Sequence, residues 1–186
     1  QINIKHGYQL KDNDQMHDLE RVETITDLGV HLDTKLSFSD HIQAKINKAY
    51  SMIGLIKRNF SSLSVSSFVM LYKSMVRSHL DYCNSVWAPY KKCDVEDLEK
   101  VQRRATKILP ALKKLTYADR LKRCGLPTLS YRRVRGDMIE TYKILSGKYD
   151  ESAAPALALN DYVSTRGNDL KLQVLNTRYE LRKHFF

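Results

Sequence analysis

Residues 98–114 read LEKVQRRATKILPALKK and form the segment around which the other elements can be placed. A helix turns by 100° per residue, so one arc of about 100° holds four cations, Lys100, Arg103, Arg104 and Lys107. The arc roughly opposite is apolar and holds Leu98, Val101, Ala105, Ile108 and Leu109. The pattern predicts a helix with one face in a protein core and the other face presented to anions.

Both ends of this helix carry sequence signals. Asp94 followed by Asp97 predicts an N-cap with a carboxylate three residues later, and Pro110 predicts the end, which gives a helix of about 16 residues. The cations would then lie in a row with a pitch of about 5 Å per turn, which can follow the phosphates of a duplex. A solvated amphipathic face without a ligand is the alternative interpretation.

The charge of the chain is unevenly distributed. Of 186 residues, 31 are Lys or Arg and 21 are Asp or Glu, a net charge of +10, and 42% are hydrophobic, enough for a buried core. Residues 1–40 hold 4 Lys and Arg against 8 Asp and Glu, whereas residues 98–135 hold 12 against 2. Such a block attracts nucleic acid by counterion release. An anionic membrane is the weaker candidate, because the block lacks the Trp and Phe of a membrane-lying helix.

No catalytic, metal or cofactor site is predicted. The chain has no Gly-rich phosphate loop, no Gly-x-Ser-x-Gly and no His-Glu-x-x-His motif. Asp12 and Asp14 are interpreted as turn residues and not as metal-binding carboxylates. The three cysteines are interpreted as reduced, mostly buried thiols, with a zinc site built on His79 and Cys83 as the weaker alternative. The absence of an apolar run of about 18 residues and of a leader predicts an intracellular protein without a membrane span.

Two kinds of periodicity divide the chain. Residues 1–36 alternate, with strands predicted in INIKHGYQL and RVETITDLGVHLD on either side of the turn KDNDQ, so they predict one β-hairpin. From Ser37 onwards apolar residues recur every three or four positions, which predicts helices. We therefore predict a mainly α fold with a small N-terminal β-hairpin (α+β). Its segments are the hairpin 1–36, a helical domain 37–147 and an extension 148–186 that ends in a truncated C-terminus.

Local signals predict where the helices begin and end. The capping boxes and N-caps are predicted at Ser37, Ser64 and Thr116, and the C-terminal ends at Gly125 and Gly147. On the last helix an arc of about 80° holds the residues Tyr131, Val134, Met138, Tyr142 and Leu145. This arc is predicted to face the core.

Further cations extend the basic block beyond the central row. The predicted nucleic-acid-binding residues are Lys100, Arg103, Arg104, Lys107, Lys113, Lys114, Arg120, Arg123, Arg132 and Arg133. Lys and Arg on helix faces contact phosphates without reading bases, so binding is predicted to depend steeply on salt and to be indifferent to sequence. Tyr117 and Tyr131 are interleaved with these cations, and core packing is favoured for them over stacking on bases.

Four long segments, taken in order, are similar to one known family. They are DLGVHLDTKLSFSDHI (27–42), LYKSMVRSHLDYCNSVWAPY (71–90), LEKVQRRATKILPAL (98–112) and TYADRLKRCGLPTLSYRRVRGDMIETYKIL (116–145). These segments resemble the C-terminal part of reverse transcriptases of non-LTR, LINE-type retrotransposons, in the jockey and CR1 range. TRGNDLKL and LRKHFF resemble the closing segment of the same family.

The resemblance implies a place for each part of the chain in a polymerase. Residues 1–32 would be the end of the palm, with Leu28 and Gly29 as the family's turn near the primer terminus. Residues 37–147 would be a thumb-like helical bundle that grips the template–primer duplex. The family's Tyr/Phe-Ala-Asp-Asp motif has no counterpart in this sequence, and Ser78 stands where the family often has Pro. The chain is therefore expected to be a non-catalytic part of an RNA-directed DNA polymerase, and any Mg²⁺ would belong to the missing palm.

The expected partners follow from the same resemblance. They are an RNA/DNA hybrid or other nucleic-acid duplex, and the palm and fingers of the polymerase. The expected location is the nucleus. The alternative is a degenerate or domesticated helical scaffold whose apolar stripes contact another protein.

Overall fold

The structure is a computed structural model that describes residues 7–12, 15–150, 152–160 and 170–173. The chain divides into two compact units, Gln1–Ser37 and Phe38–Phe186. Their described residues form β-hairpins in the first unit and helices in the second. The prediction of a mainly α fold with a small N-terminal β part is confirmed.

The N-terminal unit contains two β-hairpins where the sequence predicted one. Strand β1 (Gln9–Asp12) pairs antiparallel with β2 (Gln15–Asp18), and β3 (Thr24–Asp27) pairs antiparallel with β4 (Val30–Asp33). The segment predicted as one second strand therefore folds back on itself. The cause is the turn between β3 and β4, where Leu28 and Gly29 have φ values of 44° and 78°. A two-residue hairpin turn of type I′ requires a positive φ at both central residues. Residues 1–6 and Asp14 lie outside the described residues.

The C-terminal unit is built of helices. Helix α1 (Ser39–Asn59) is followed by one continuous helix made of α2 (Val65–Leu71), a π-helical turn (Tyr72–Arg77) and α3 (Ser78–Asp81). The later elements are α4 (Asn84–Trp87), α5 (Lys92–Ala105), a 3₁₀ turn (Pro110–Leu112), α6 (Tyr117–Cys124) and α7 (Leu129–Leu145). Helix α1 packs against α5, α3 and the π-helical turn, and α7 packs against α4 and α5.

The apolar stripe predicted on α1 forms one wall of the core. Its buried members are Ile42, Ile46, Ala49, Ile53 and Ile56. Leu98, Val101 and Ala105 of α5 are fully buried as well. The spacing of three and four residues on both helices therefore identified the faces that meet in this core.

The π-helical turn aligns four buried residues that are spaced four apart. Phe68, Tyr72, Val76 and Leu80 are all fully buried. In an α-helix a spacing of four advances by about 40° per step, so three steps would turn Leu80 by about 120° away from Phe68. A π-helical turn contains more residues per turn, which offsets much of this drift. The sequence predicts a helix that begins at Ser64, and the π-helical turn within it is a departure from regular α-helical geometry.

Several predicted helix ends are confirmed. The Oγ of Ser64 accepts a hydrogen bond from the amide of Ser67 at 3.1 Å, and the Oγ1 of Thr116 accepts one from the amide of Asp119 at 3.3 Å. Gly125 ends α6 with a φ of 58°.

The predicted capping box at Ser37 is wrong. The amide and hydroxyl of Ser37 both donate to the carboxylate of Asp33, and α1 begins two residues later with Phe38 as its N-cap. The carboxylate that this serine bonds thus precedes it in the sequence, whereas a capping box bonds forward into the helix.

The apolar arc predicted to bury α7 faces solvent. Tyr131, Val134, Met138 and Tyr142 are between 59% and 66% exposed, whereas Leu129 and Arg133 are the buried residues of this helix. Polar contacts fix its orientation, because the amide of Leu129 donates to a buried carboxylate, the side chain of Glu99, at 2.9 Å. The sequence pattern thus identified the apolar face of α7 correctly, but this face lies toward solvent and not toward the core.

Candidate nucleic-acid interface

Helix α5 is shorter than predicted at its C-terminal end. It begins at Lys92 without a side-chain cap, so Asp94 is not its N-cap, and its 14 residues end at Ala105. The hydroxyl of Thr106 is buried and donates to the carbonyls of Gln102 and Arg103, both at 3.1 Å. Lys107 therefore lies in the turn after the helix and does not continue the row on it.

The predicted cations of α5 nevertheless reach solvent together. Lys100, Arg103 and Arg104 are exposed on the helix, opposite its buried apolar face, and Lys107 is exposed just beyond it. We call these four residues the cationic surface.

Two tyrosine rings support the arginines of the cationic surface. The guanidinium carbon of Arg103 lies 5.2 Å from the ring centroid of Tyr117 on α6. The guanidinium carbon of Arg104 lies 5.2 Å from the ring centroid of Tyr50 on α1. A guanidinium over a ring keeps the donors at its edge free for an anion, which a carboxylate partner would occupy. Neither arginine forms an ion pair with any residue that the structure describes.

Lys100 differs from the two arginines. Its Nζ lies 2.8 Å from Oδ1 of Asp97, and this hydrogen bond raises the pKa of the Lys100 amine. Both side chains are about half exposed, and an ion pair of this kind contributes little to stability because solvent screens it. A phosphate can therefore compete with Asp97 for this lysine at little cost.

A buried polar network fixes the tyrosine beneath Arg103. The hydroxyl of Tyr117 donates to Oε1 of Glu99 and accepts a hydrogen bond from Nε2 of Gln102 at 3.0 Å. The side chains of Glu99 and Gln102 are buried. Burial and the Glu99 hydrogen bond raise the pKa of Tyr117, so its hydroxyl stays neutral.

The same network connects α5 to other elements. Oε1 of Gln102 accepts a hydrogen bond from the hydroxyl of Tyr72, in the π-helical turn, at 2.6 Å. Oε2 of Glu99 accepts one from the amide of Leu129 at the start of α7. The position of Tyr117, and hence of the Arg103 guanidinium, is thus set by a network that joins α6 to α5, the π-helical turn and the start of α7.

The structure corrects the prediction for Arg120, which is only 4% exposed. Its Nε donates to Oγ1 of Thr106 at 3.0 Å, and its Nη1 donates to the carbonyl of Leu115 at 2.7 Å. Its guanidinium lies on the face of the Tyr117 ring, 5.5 Å from the centroid. Arg120 therefore joins α6 to the end of α5 and is not placed to contact a phosphate.

Arg133 is likewise buried, at 6% exposed, and is also corrected. Burial lowers the pKa of its guanidinium, and the nearby carboxylates of Glu99, Asp81 and Asp137 oppose that shift. Its Nη1 and Nη2 make no hydrogen bond to the residues that the structure describes. A charge-pattern argument cannot identify such a residue, since burial is decided by the packing of α7.

The other predicted cations lie at the surface in two different states. Nε of Arg132 lies 2.6 Å from Oδ2 of Asp81, so it is committed to an internal ion pair. Lys113, Lys114 and Arg123 are exposed on and beside α6. These three form no ion pair within the described ranges.

The structure also gives the positions of the predicted primer-proximal turn and of the three cysteines. Leu28 and Gly29 form the turn between β3 and β4, and their location near a primer terminus stays a prediction. All three cysteines are free thiols, but only Cys124 is buried, so the prediction of mostly buried thiols is wrong.

The described residues show no arrangement typical of a metal site or of a membrane-spanning helix. Within the described ranges, no group of three His, Cys, Asp or Glu side chains is arranged to hold a metal ion. None of the helices described is both long and apolar enough to cross a bilayer. The expectation that the chain needs no metal or cofactor stays a prediction.

Sequence reasoning missed Tyr50 as part of the interface. Its only sequence signal is a position three residues before Ile53 on α1, which does not predict contact with an arginine on another helix. Such a contact depends on how α1 and α5 pack.

Comparison with known proteins gives one similarity of low identity. No family model matches the sequence, and no solved structure matches the fold. The chain is similar to an uncharacterised protein of Caenorhabditis elegans, with 28% identity over 128 residues. The match covers 67% of this chain and 65% of the length of that relative.

Proposed function

We propose that this chain binds the template–primer duplex of a non-LTR, LINE-type reverse transcriptase, as the end of its palm and its thumb. The order of the four segments that resemble this family supports the proposal. Catalysis would require the remainder of the polymerase, because no residue here matches the family's Ala-Asp-Asp motif. The proposal includes a nuclear location, where such a polymerase would meet its target DNA.

The exposed Arg103 and Arg104, each supported by a tyrosine ring, are the observation that carries the proposal. A planar guanidinium matches the geometry of phosphate oxygens and forms two hydrogen bonds to them. The rings hold both groups in place before binding, which lowers the entropy lost when a phosphate is bound. Lys107 adds a third exposed cation. The set suits a backbone contact that is indifferent to base sequence.

Binding to a fluorescently labelled RNA/DNA hybrid tests the proposal. Backbone binding of this kind has Kd values of about 10⁻⁴ to 10⁻⁶ M at physiological salt. Each phosphate contact contributes about −0.9 to the slope of log K against log salt concentration, so three contacts contribute about −2.7. The variant Arg103→Glu/Arg104→Glu/Lys107→Glu should lose affinity and about that much of the slope.

A matched control carries the same change in charge elsewhere. Lys35, Lys92 and Lys148 are exposed and lie outside the cationic surface. Replacing all three with Glu should weaken binding less and leave most of the slope. Equal losses in the two triple variants, or a wild-type affinity that does not change between 50 and 200 mM salt, would refute the proposed interface.

A helical scaffold that contacts another protein is the second candidate. The exposed apolar residues of α7, with Met138 at their centre, are the observation that favours it. Wild-type protein would then fail to bind the hybrid at 50 mM salt. It would bind a protein partner instead. Met138→Asp would abolish this binding, whereas Arg103→Glu/Arg104→Glu/Lys107→Glu would not.

A further inference from the structure

A shallow cleft, open to solvent, lies where α2 meets the end of α6. Its apolar lining comes from Val65, Val69 and Met70 of α2, and Met70 is 66% exposed. An open cleft of this kind can hold a short piece of one strand along the surface of the protein.

The charged residues that line the cleft all have the same sign. Lys73 lies in the π-helical turn that follows α2. Lys122 and Arg123 lie in the last turn of α6. All three are exposed, and the lining contains no Asp or Glu. Within the described ranges none of them forms an ion pair. An occupant with regularly spaced negative charges and apolar faces between them would match this lining.

Helix α6 connects the cleft to the cationic surface. Tyr117, which supports Arg103, is the first residue of α6, and Lys122 and Arg123 lie in its last turn. At 1.5 Å per residue, Tyr117 and Lys122 are separated by about 8 Å along the axis of α6. The cationic surface and the cleft therefore lie near opposite ends of one short helix.

We propose that the α2–α6 cleft binds single-stranded nucleic acid that extends from the duplex. Phosphates contact Lys73, Lys122 and Arg123, and a ribose or base lies against Met70 and the two valines. This inference rests on the proposed function and adds to it a site for the unpaired strand. Single-strand sites combine a cationic groove with surfaces that contact the faces of bases. An acidic peptide would match the cations alone and leave the apolar lining in contact with polar backbone.

Three labelled probes test the cleft at several salt concentrations. They are a blunt RNA/DNA hybrid, the same hybrid with a single-stranded extension, and the single strand alone. For single strands each phosphate contact contributes about −0.7 to the log–log salt slope, so three contacts should make the slope for the extended hybrid steeper by about 2. The extension should also tighten binding. The variant Lys73→Glu/Lys122→Glu should lose this gain and most of the added slope.

The control variant is Lys92→Glu/Lys148→Glu, which has the same charge change at exposed positions outside the cleft. It should keep the gain from the extension, and both variants should show the wild-type circular dichroism and thermal unfolding. The cleft assignment is overturned if the extension adds no affinity to the wild type, or if the gain persists in the cleft variant. It is also overturned if an oligoglutamate peptide, and not the single strand, binds in a manner that depends on Lys73 and Lys122.

The probes also separate this inference from the proposed function. In one result, Arg103→Glu/Arg104→Glu/Lys107→Glu loses binding to the blunt hybrid, and the extension does not change the affinity of the wild type. This result retains the duplex interface and rejects the cleft. The opposite result would be that the wild type binds the single strand but not the blunt hybrid, and that Lys73→Glu/Lys122→Glu abolishes the single-strand binding. That result retains the cleft and rejects the duplex interface.

Discussion

Replacing Tyr117 with Phe and, separately, with Leu would distinguish two roles of one side chain. The hydroxyl belongs to the buried network, where it donates to Glu99, and the ring supports the guanidinium of Arg103. Phe removes the hydroxyl and keeps the ring. Leu removes both. Stability and affinity should therefore respond differently to the two changes.

Tyr117→Phe should lower the free energy of unfolding and leave hybrid binding nearly unchanged. It removes a hydrogen bond to a charged group, which contributes about 1.5–3 kcal/mol. Nε2 of Gln102 keeps its 3.0 Å hydrogen bond to the carbonyl of Pro127, so it is not left without a partner. The loss is smaller than the total stability of a domain, about 5–15 kcal/mol, so the variant stays folded.

Tyr117→Leu should also weaken hybrid binding. Without the ring, Arg103 must be ordered when the phosphate binds, and ordering a flexible side chain costs about 0.5–1.5 kcal/mol. That cost corresponds to an affinity about two- to tenfold weaker. Urea unfolding followed by far-UV circular dichroism measures stability, and fluorescence anisotropy at fixed salt measures affinity.

A double-mutant cycle with Arg103→Ala provides the control. In that background Tyr117→Leu should cause little further loss of affinity, because the guanidinium of Arg103 that the ring supports is already absent. The reasoning is refuted if the Phe and Leu variants bind the hybrid equally well. It is refuted as well if Tyr117→Phe is as stable as the wild type.

Three further substitutions examine other contacts. Arg120→Met should lower the free energy of unfolding by about 2–4 kcal/mol, since it removes the hydrogen bonds to Thr106 and Leu115. It should leave the salt slope of hybrid binding unchanged. A changed slope would contradict the assignment of Arg120 as a structural residue. Leu28→Asn should stabilise the β3–β4 hairpin by about 1 kcal/mol, because Asn tolerates a φ of 44° better than Leu, and slower amide exchange in that hairpin would show it. Burial lowers the pKa of His79, so its contribution to stability is present above the unfolded-state pKa of about 6.5 and is lost as the pH falls toward the folded-state value. His79→Gln should therefore lose less stability than the wild type between pH 7.5 and 5.5 in urea unfolding, and an identical loss would count against this.

The parts of the fold that depend on local sequence were predictable. The stripe on α1, the caps at Ser64 and Thr116, and the end of α6 at Gly125 each follow from residues within a turn or two. The end of α5 was misplaced because the amides of Lys107 and Ile108 bond to carbonyls three residues earlier, so the α-helical pattern stops before Pro110.

The parts that depend on packing between helices were not predictable from the pattern. Arg120 and Arg133 have the same sequence signature as Arg103, yet they are buried because tertiary contacts place them on the inner sides of α6 and α7. The apolar arc of α7 was assigned to the core because a single sequence does not show that Glu99 accepts the amide of Leu129. The exposure of the cationic surface was predictable because three of its four residues lie opposite the buried apolar face of α5.

The π-helical turn makes the helix between Phe68 and Leu80 sensitive to changes in length. Ser74 lies within that turn, is exposed, and donates its hydroxyl to the carbonyl of Met70 at 3.0 Å. Deleting it would let the turn close as an ordinary α-helical turn and rotate the following residues by about 100°, which would carry Leu80 out of the core. Substitutions at Ser74 leave this helical phase intact, whereas a one-residue gap does not. A homologous chain that keeps this packing must therefore align through this helix without insertion or deletion.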